Sequence, residues 1–177
     1  MGKWELLDKE SVFKDHWKSL EKWSMRNANG NINDFTIVIS RSVVVVFGIT
    51  PDNEVLVTRE YFMSQGKKMI GMVAGMVEQE NIKQVAVDEL RQESGYAAEE
   101  MIYLGNNNYG KYTTGTIHYF LAKNIKKVGP QELEDNEDID VELVTLAKFK
   151  KMLKANEMES VLEMACAYKA LDYLGKL

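Results

Sequence analysis

The chain of 177 residues holds a single cysteine, Cys166, so no intrachain disulfide can form, and a reducing, cytoplasmic setting is expected. Being small and set in an apolar C-terminal stretch, that cysteine is expected to be buried on the last helix. Long apolar runs are also missing. The strongest, residues 43–47 (Val-Val-Val-Val-Phe), suits a strand and is too short to span a membrane. The N-terminal MGKWELLDKES lacks an apolar h-region, so no secretory signal is expected, and Leu6 stands where a myristoylation motif needs Ser or Thr. Nor is there an excess of positive charge. The 22 basic and 27 acidic residues leave a net charge of −5, which argues against broad nucleic-acid binding. An acidic protein that handles phosphates needs metal ions to mediate the contact. What is present, 45% hydrophobic and 28% charged residues, is an ordinary globular composition, long enough for one domain with a sizeable core.

The stretch on which the rest turns is 75–96, GMVEQENIKQVAVDELRQESGY. A turn rich in glycine and acids (Gly75, Glu78, Glu80) leads into a helical pattern of Ile82, Val85, Ala86 and Leu90, with Gly95 as the stop. Glu89 and Glu93 are four apart, so they stack on one face, and that face continues the row of Ile82 and Ala86. Carboxylates extending an inward row must be paired, protonated or metal-bound. A magnesium site is the economical reading, because hard cations take oxygen ligands. The alternative is a salt-bridged pair, with Lys83 or Arg91 as partner.

Around this stretch the sequence reads mainly as strands. Trp4-Glu5-Leu6-Leu7 and Val12-Phe13 are short apolar pieces suited to edge strands, and residues 27–31 (Asn-Ala-Asn-Gly-Asn) form a hairpin turn. Strands are expected at 35–39, 43–47, 54–61, 117–122 and 141–144, with loops at 66–68 and at the polar, glycine-rich 105–115. An acidic loop, 132–140, follows the Gly129-Pro130 break. Helices are expected around Leu146, Phe149 and Leu153 and over 161–174. Neither a repeat nor an interdomain linker is visible.

Stretch 75–96 resembles the Nudix box, G-x5-E-x7-R-E-U-x-E-E-x-G-U. Gly75, Glu80, Glu89, Leu90, Glu93 and Gly95 match if the loop is one residue short. Asp88 stands in place of the arginine, and Gln92 in place of the first glutamate of the pair. Further matches fall in order along the chain: Trp4-Glu5-Leu6-Leu7, the Gly30 turn, Val55 to Tyr61 against V-L-V-R-Q-Y, Ala74-Gly75, Ile117 to Ala122, and Asn136 to Val141. Together they resemble the ADP-ribose and nucleoside-diphosphate-sugar pyrophosphatase branch of the family, from about Trp4 to Leu174. The resemblance implies an α/β fold, an α/β/α sandwich around a mixed sheet with N-terminal antiparallel strands. It implies one domain over 1–177 and a homodimer in which the extension, about residues 1–40, packs on the partner.

It also implies a chemistry, hydrolysis of a nucleoside diphosphate linked to a sugar or related group, with Mg2+ or Mn2+ as cofactor. In that reading Glu89, Glu93 and the Ala74 carbonyl hold metal. Gln92 sits at a position that helps hold it but brings no charge, so weaker metal affinity is expected there. In the acidic loop Asp135 takes the position of the base, and Glu137 that of a metal-binding glutamate. Arg59, Gly75 and Glu80 take substrate positions, although Phe62 replaces an arginine that often contacts a phosphate, and Gly71 and Val73 replace the glutamate and proline of E-L-P-A-G. Asp88 facing Glu80 would repel unless a cation lies between them or one is protonated. Several residues also have plain readings. The acidic loop can be a solvated loop, and Trp4, Trp17 and Trp23 core residues rather than base-stacking ones. His118 reads as a structural histidine, and 106–115 either as a cover over the substrate or as a surface loop. Two alternatives to this hydrolase stand: a Nudix-fold binding or sensing protein with little turnover, and a nucleoside triphosphatase. The N-terminal extension and the 136–141 match speak against the second.

Overall fold

The computed structural model of the protein describes residues 4–16 and 18–177, which leaves Trp17 outside the described residues. In chain order it contains β1 (Glu5–Lys14), β2 (Ser19–Arg26), β3 (Ile32–Ile39), β4 (Val43–Ile49), β5 (Glu54–Phe62), β6 (Lys67–Gly71) and β7 (Val73–Met76). There follow α1 (Ile82–Ser94), β8 (Tyr96–Ala97), β9 (Glu100–Gly110), β10 (Thr113–Lys123), β11 (Lys126–Lys127), β12 (Ile139–Thr145), α2 (Leu146–Lys154) and α3 (Val161–Tyr173). Two compact units emerge: Met1–Ser42 with Asn107–Thr116, and Val43–Asn106 with Ile117–Leu177.

In the first unit β1, β2 and β3 form an antiparallel meander. Asn27 makes the turn between β2 and β3, its Oδ1 accepting the N–H groups of Asn29 (2.9 Å) and Asn31 (3.1 Å). Trp4 packs edge-on against Phe35, with ring centroids 5.7 Å apart, and Phe35 stacks on Tyr112 at 5.9 Å. The two short edge strands expected at the N-terminus are one strand, β1. Its intervening charges are accommodated because the whole strand is exposed and bulges shift its register on β2.

The second unit is built on β4. Its Val43–Ile49 run lies parallel to Ile117–Lys123 of β10 and antiparallel to β7, and it meets β5 at Gly48 and Ile49. β5 pairs antiparallel with β6 and β12. The alternation of β4 sorts its residues onto two faces. Val44 and Val46 join Leu56, Val73 and Phe120 in a core closed by Val85, Ala86 and Leu90 of α1. Phe47 meets Phe149 of α2 edge-on at 5.5 Å, and the Cys166 thiol of α3 reaches the Val45 carbonyl at 3.4 Å. Helices therefore cover both faces of a mixed sheet, the α/β architecture expected. Cys166 is buried, and burial pushes its thiol up to about 12.

Two expected loops are strand. Residues 105–115 form the end of the β9–β10 hairpin, because the neighbouring backbone supplies partners that the polar sequence does not advertise. Thr113 pairs with Val38, and the Val38 N–H donates to the Tyr112 carbonyl at 2.8 Å. Lys67 and Lys68 likewise begin β6, in register with Phe62 and Tyr61.

Candidate active site

Helix α1 starts where the Asn81 side chain accepts the Gln84 N–H at 3.2 Å. It stops at Gly95, whose φ of 70° suits glycine and whose N–H donates to the Arg91 carbonyl. Val85, Ala86 and Leu90 anchor it on the sheet, which turns Glu93 inward to 5% exposure. The Glu93 Oε2 accepts the Ala74 N–H of β7 at 3.2 Å. One residue on, the Glu89 carboxyl lies on Gly75, so closely that a Cβ there would overlap its Cδ and Oε1. Ala74 and Gly75 thus form the floor under the two acids.

Burial and neighbouring acids raise the pKa of both carboxylates. Burial, then the charges of Glu137, Glu134, Asp88 and Glu78, push Glu89 up to about 7. Burial, then Glu89, holds Glu93 well above the usual range, against the opposing Ala74 N–H, with Glu60 and Glu137 adding to the rise. Glu60 is raised by burial and by Glu137. Among the described residues no lysine or arginine ion-pairs with Glu89 or Glu93, and Arg91 instead holds Glu132 at 2.5 Å. Hard oxygen donors with no basic partner fit a divalent cation. No three His, Cys, Asp or Glu side chains among the described residues are grouped so as to hold a metal ion, so a cation on Glu89 and Glu93 would need further oxygens from a carbonyl, water or substrate.

The acidic segment before β12 reaches this cluster through Glu137, which is half-buried; its Oε2 accepts the Glu134 N–H at 2.8 Å. Asp135 is exposed, and Glu134 and Glu137 are the segment's leading charges on Glu89. Gln92 is exposed, its backbone carbonyl accepting the Glu132 N–H at 2.8 Å. Glu80 is exposed, and its carbonyl accepts the Ile82 N–H. Asp88 accepts from the Gln84 side chain at 2.9 Å. Arg59 lies 3.6 Å from Glu142 and, one residue from Glu60 on β5, projects to the opposite face. The structure therefore brings Ala74, Gly75, Glu89 and Glu93 together, with Glu137 acting on them through its charge, and leaves Glu80, Gln92 and Asp135 exposed and Arg59 exposed on the other face of β5.

Glu60 is the acid the sequence reading passed over. Its signal was there: a glutamate where the matched pattern has glutamine, on a strand otherwise apolar toward its start. Beside it lies a cavity of about 330 Å³ lined by Glu60, Tyr61, Met63, Asn136 and Asp138. His118 accepts or donates at 3.1 Å to the Tyr103 hydroxyl on the neighbouring strand, a structural role. The Trp23 indole donates to Glu21 at 2.7 Å and carries Lys9 over its ring.

Behind Glu60, Glu163 of α3 is only 6% exposed and its Oε2 has no partner; it lies with Thr58 Oγ1 in the space that Gly71 leaves open. Burial raises Glu163 to about 7, with Glu60 adding and its own backbone N–H opposing. A carboxyl raised on folding contributes stability that is complete below its unfolded pKa and is lost as pH rises through the folded one. Metal-free protein is therefore expected to be more stable at pH 5 than at pH 8. Glu163→Gln should flatten this profile by about 2–3 kcal/mol, read by urea unfolding across pH in chelator. An unchanged slope would mean that Glu163 is ionised at no cost.

A family model described as the NUDIX domain matches residues 39–164. The chain belongs to the Nudix family. As a Nudix protein it resembles a methanol dehydrogenase activator from Bacillus methanolicus, 26% identical over 148 residues, 82% of this chain and 80% of that protein. Its fold is similar to that of a solved ADP compounds hydrolase, with a TM-score of 0.86 and 17% identity, covering 99% of this chain and 97% of that one. Among the described residues of this Nudix chain no helix is long and apolar enough to cross a membrane.

Proposed function

We propose that this chain hydrolyses the diphosphate bond of a nucleoside diphosphate linked to a sugar or related group, releasing a nucleoside monophosphate and a sugar phosphate. The observation that carries the reading is Glu93, a buried carboxylate beside Glu89 with no basic partner, on the Ala74–Gly75 floor. Glu89, Glu93, Glu137 and the Ala74 carbonyl would hold Mg2+ or Mn2+, with Gln92 at the margin. Bound there, the cation would polarise phosphoryl oxygens and lower the pKa of water. The chain's own part is to fix those oxygens on α1, β7 and the 131–140 segment. Asp135 takes the role of base within that segment, and Glu134 is its competitor because it acts more strongly on Glu89. Gly75 leaves room on the floor for the Glu89 carboxyl, and Glu80 is assigned a substrate contact in the turn before α1. Arg59, the remaining substrate position, is held by Glu142 in a weak exposed pair on the face of β5 away from the acids.

The family match from residue 39 leaves about 1–40 as an extension to the domain. Its exposed Trp4, Leu6, Val12 and Phe13 support the homodimer reading, in a cytoplasmic setting with no nucleic-acid or membrane partner. The second reading, a binding protein with little turnover, is favoured by Gln92 and Asp88 in the box and by a relative named as an activator. A phosphate-release screen over ADP-ribose, nucleotide sugars and nucleoside triphosphates, with Mg2+ and Mn2+, separates the two. Turnover is expected on the diphosphate-linked sugars, with Mn2+ preferred because Gln92 brings no charge. Tight binding without turnover on any of them would favour the binding protein.

A further inference from the structure

The segment that carries Glu137 has no regular structure of its own, yet it is fastened at both ends by side chains outside the acidic cluster. At its start the Gln131 Nε2 donates to two carbonyls, Glu93 at 2.6 Å and Ile139 at 2.9 Å. A primary amide has two such donors, and here both are used. One acceptor belongs to the end of α1 that carries Glu93, the other to the first residue of β12. At its far end the Lys68 ammonium of β6 donates to Asp138 at 2.6 Å and Asp140 at 2.7 Å, and the Tyr61 N–H donates to the Asp138 carbonyl at 3.2 Å. Between the two fastenings the segment closes on itself: the Glu137 N–H donates to the Glu134 carbonyl at 3.0 Å.

We propose that Gln131 and Lys68 are positioning residues that set the separation between the acids of α1 and Glu137 by pinning the two ends of the 131–140 segment. The inference rests on the reading that Glu93 and Glu137 share a divalent cation. A ligand carried on an irregular segment is only as well placed as its supports. Outer partners of this kind are worth about ten- to a hundredfold in metal affinity. Lys68 is partly exposed and ties two acids, so its removal leaves a like-charge pair beside Glu137 as well as a loose end.

Two measurements test this on the full chain. The first is Mn2+ affinity by electron paramagnetic resonance; the second is hydrogen exchange of the 132–138 amides in chelator, where no cation is present. Gln131→Leu and Lys68→Met are each expected to weaken Mn2+ binding about tenfold or more and to speed exchange at Glu134 and Glu137. Lys68→Arg, which keeps a donor and the charge, should restore both. If Gln131→Leu fails to fold, the Lys68 pair decides alone. Wild-type Mn2+ affinity and exchange in both Gln131→Leu and Lys68→Met would overturn the pinning. Faster exchange in protein whose wild type binds no Mn2+ would instead overturn the shared-cation reading, and with it the assignment of a positioning role. Equal loss of affinity in Lys68→Arg and Lys68→Met would show that the lysine acts otherwise than as a tether.

Discussion

Replacing Glu93 with glutamine is expected to remove cation-dependent diphosphate hydrolysis, by at least about a hundredfold, while leaving the chain folded. Glu93 has two environments at once. One oxygen is held by the Ala74 N–H, and the carboxyl feels the charges of Glu89, Glu60 and Glu137 in a site that burial has made hostile to charge. A cation relieves all four acids together, so loss of one charge should weaken the grip of the whole set. The size follows from what one preorganised stabilising group is worth in other hydrolytic sites, about two to three powers of ten. Stability should move the other way. In chelator at pH 8 glutamine removes a buried like charge, so Glu93→Gln should unfold at higher urea than wild type, provided the Ala74 N–H finds the amide oxygen. Activity falling with stability held or raised is the signature of a site residue. Unaltered turnover in Glu93→Gln would refute the assignment of α1 as the catalytic helix.

Gly75→Ala is the second large effect, and it works by displacement. Any Cβ at position 75 would overlap the Glu89 carboxyl. The obstructing atoms are the far end of a flexible side chain, so Glu89 can swing away at small cost and the fold should survive. Its carboxyl would then no longer lie over Ala74 and Gly75. Mn2+ affinity and turnover are expected to fall together, about tenfold or more, with an unfolding midpoint close to wild type. Gly75→Ala with full activity would show that the oxygen of Glu89 on the β7 floor plays no part.

Most of this site was legible because its acids break a periodicity. Glu89 and Glu93 fall where α1 should be apolar, and the sheet does turn Glu93 inward. The fold could be read for the same reason: 43–47 has no polar face, and it becomes the strand covered on both sides. What escaped was set by pairing at long range. Gln131 and Lys68 look like surface residues in sequence, and only the approach of α1, β6 and β12 gives them partners. Glu60 sits beside an arginine in a strand, and nothing local says which of the two faces the acids. The glycine-rich tip of the β9–β10 hairpin has the sequence of a loop because turn residues dominate it, whereas backbone bonding from β3 makes it strand.

The parallel register of Val43 with Ile117 has a bearing on how the molecule comes together. Glu60, β7 and α1 lie between those two positions in the chain, whereas Glu137 lies beyond them. A loop of that length must close before β4 meets β10, and such non-local closure is slow. Glu89 and Glu93 meet β7 through a short connection, whereas Glu137 is carried up to them only when β12 pairs with β5. The full set of repelling carboxylates is therefore expected to be completed by a long-range pairing rather than by a local one.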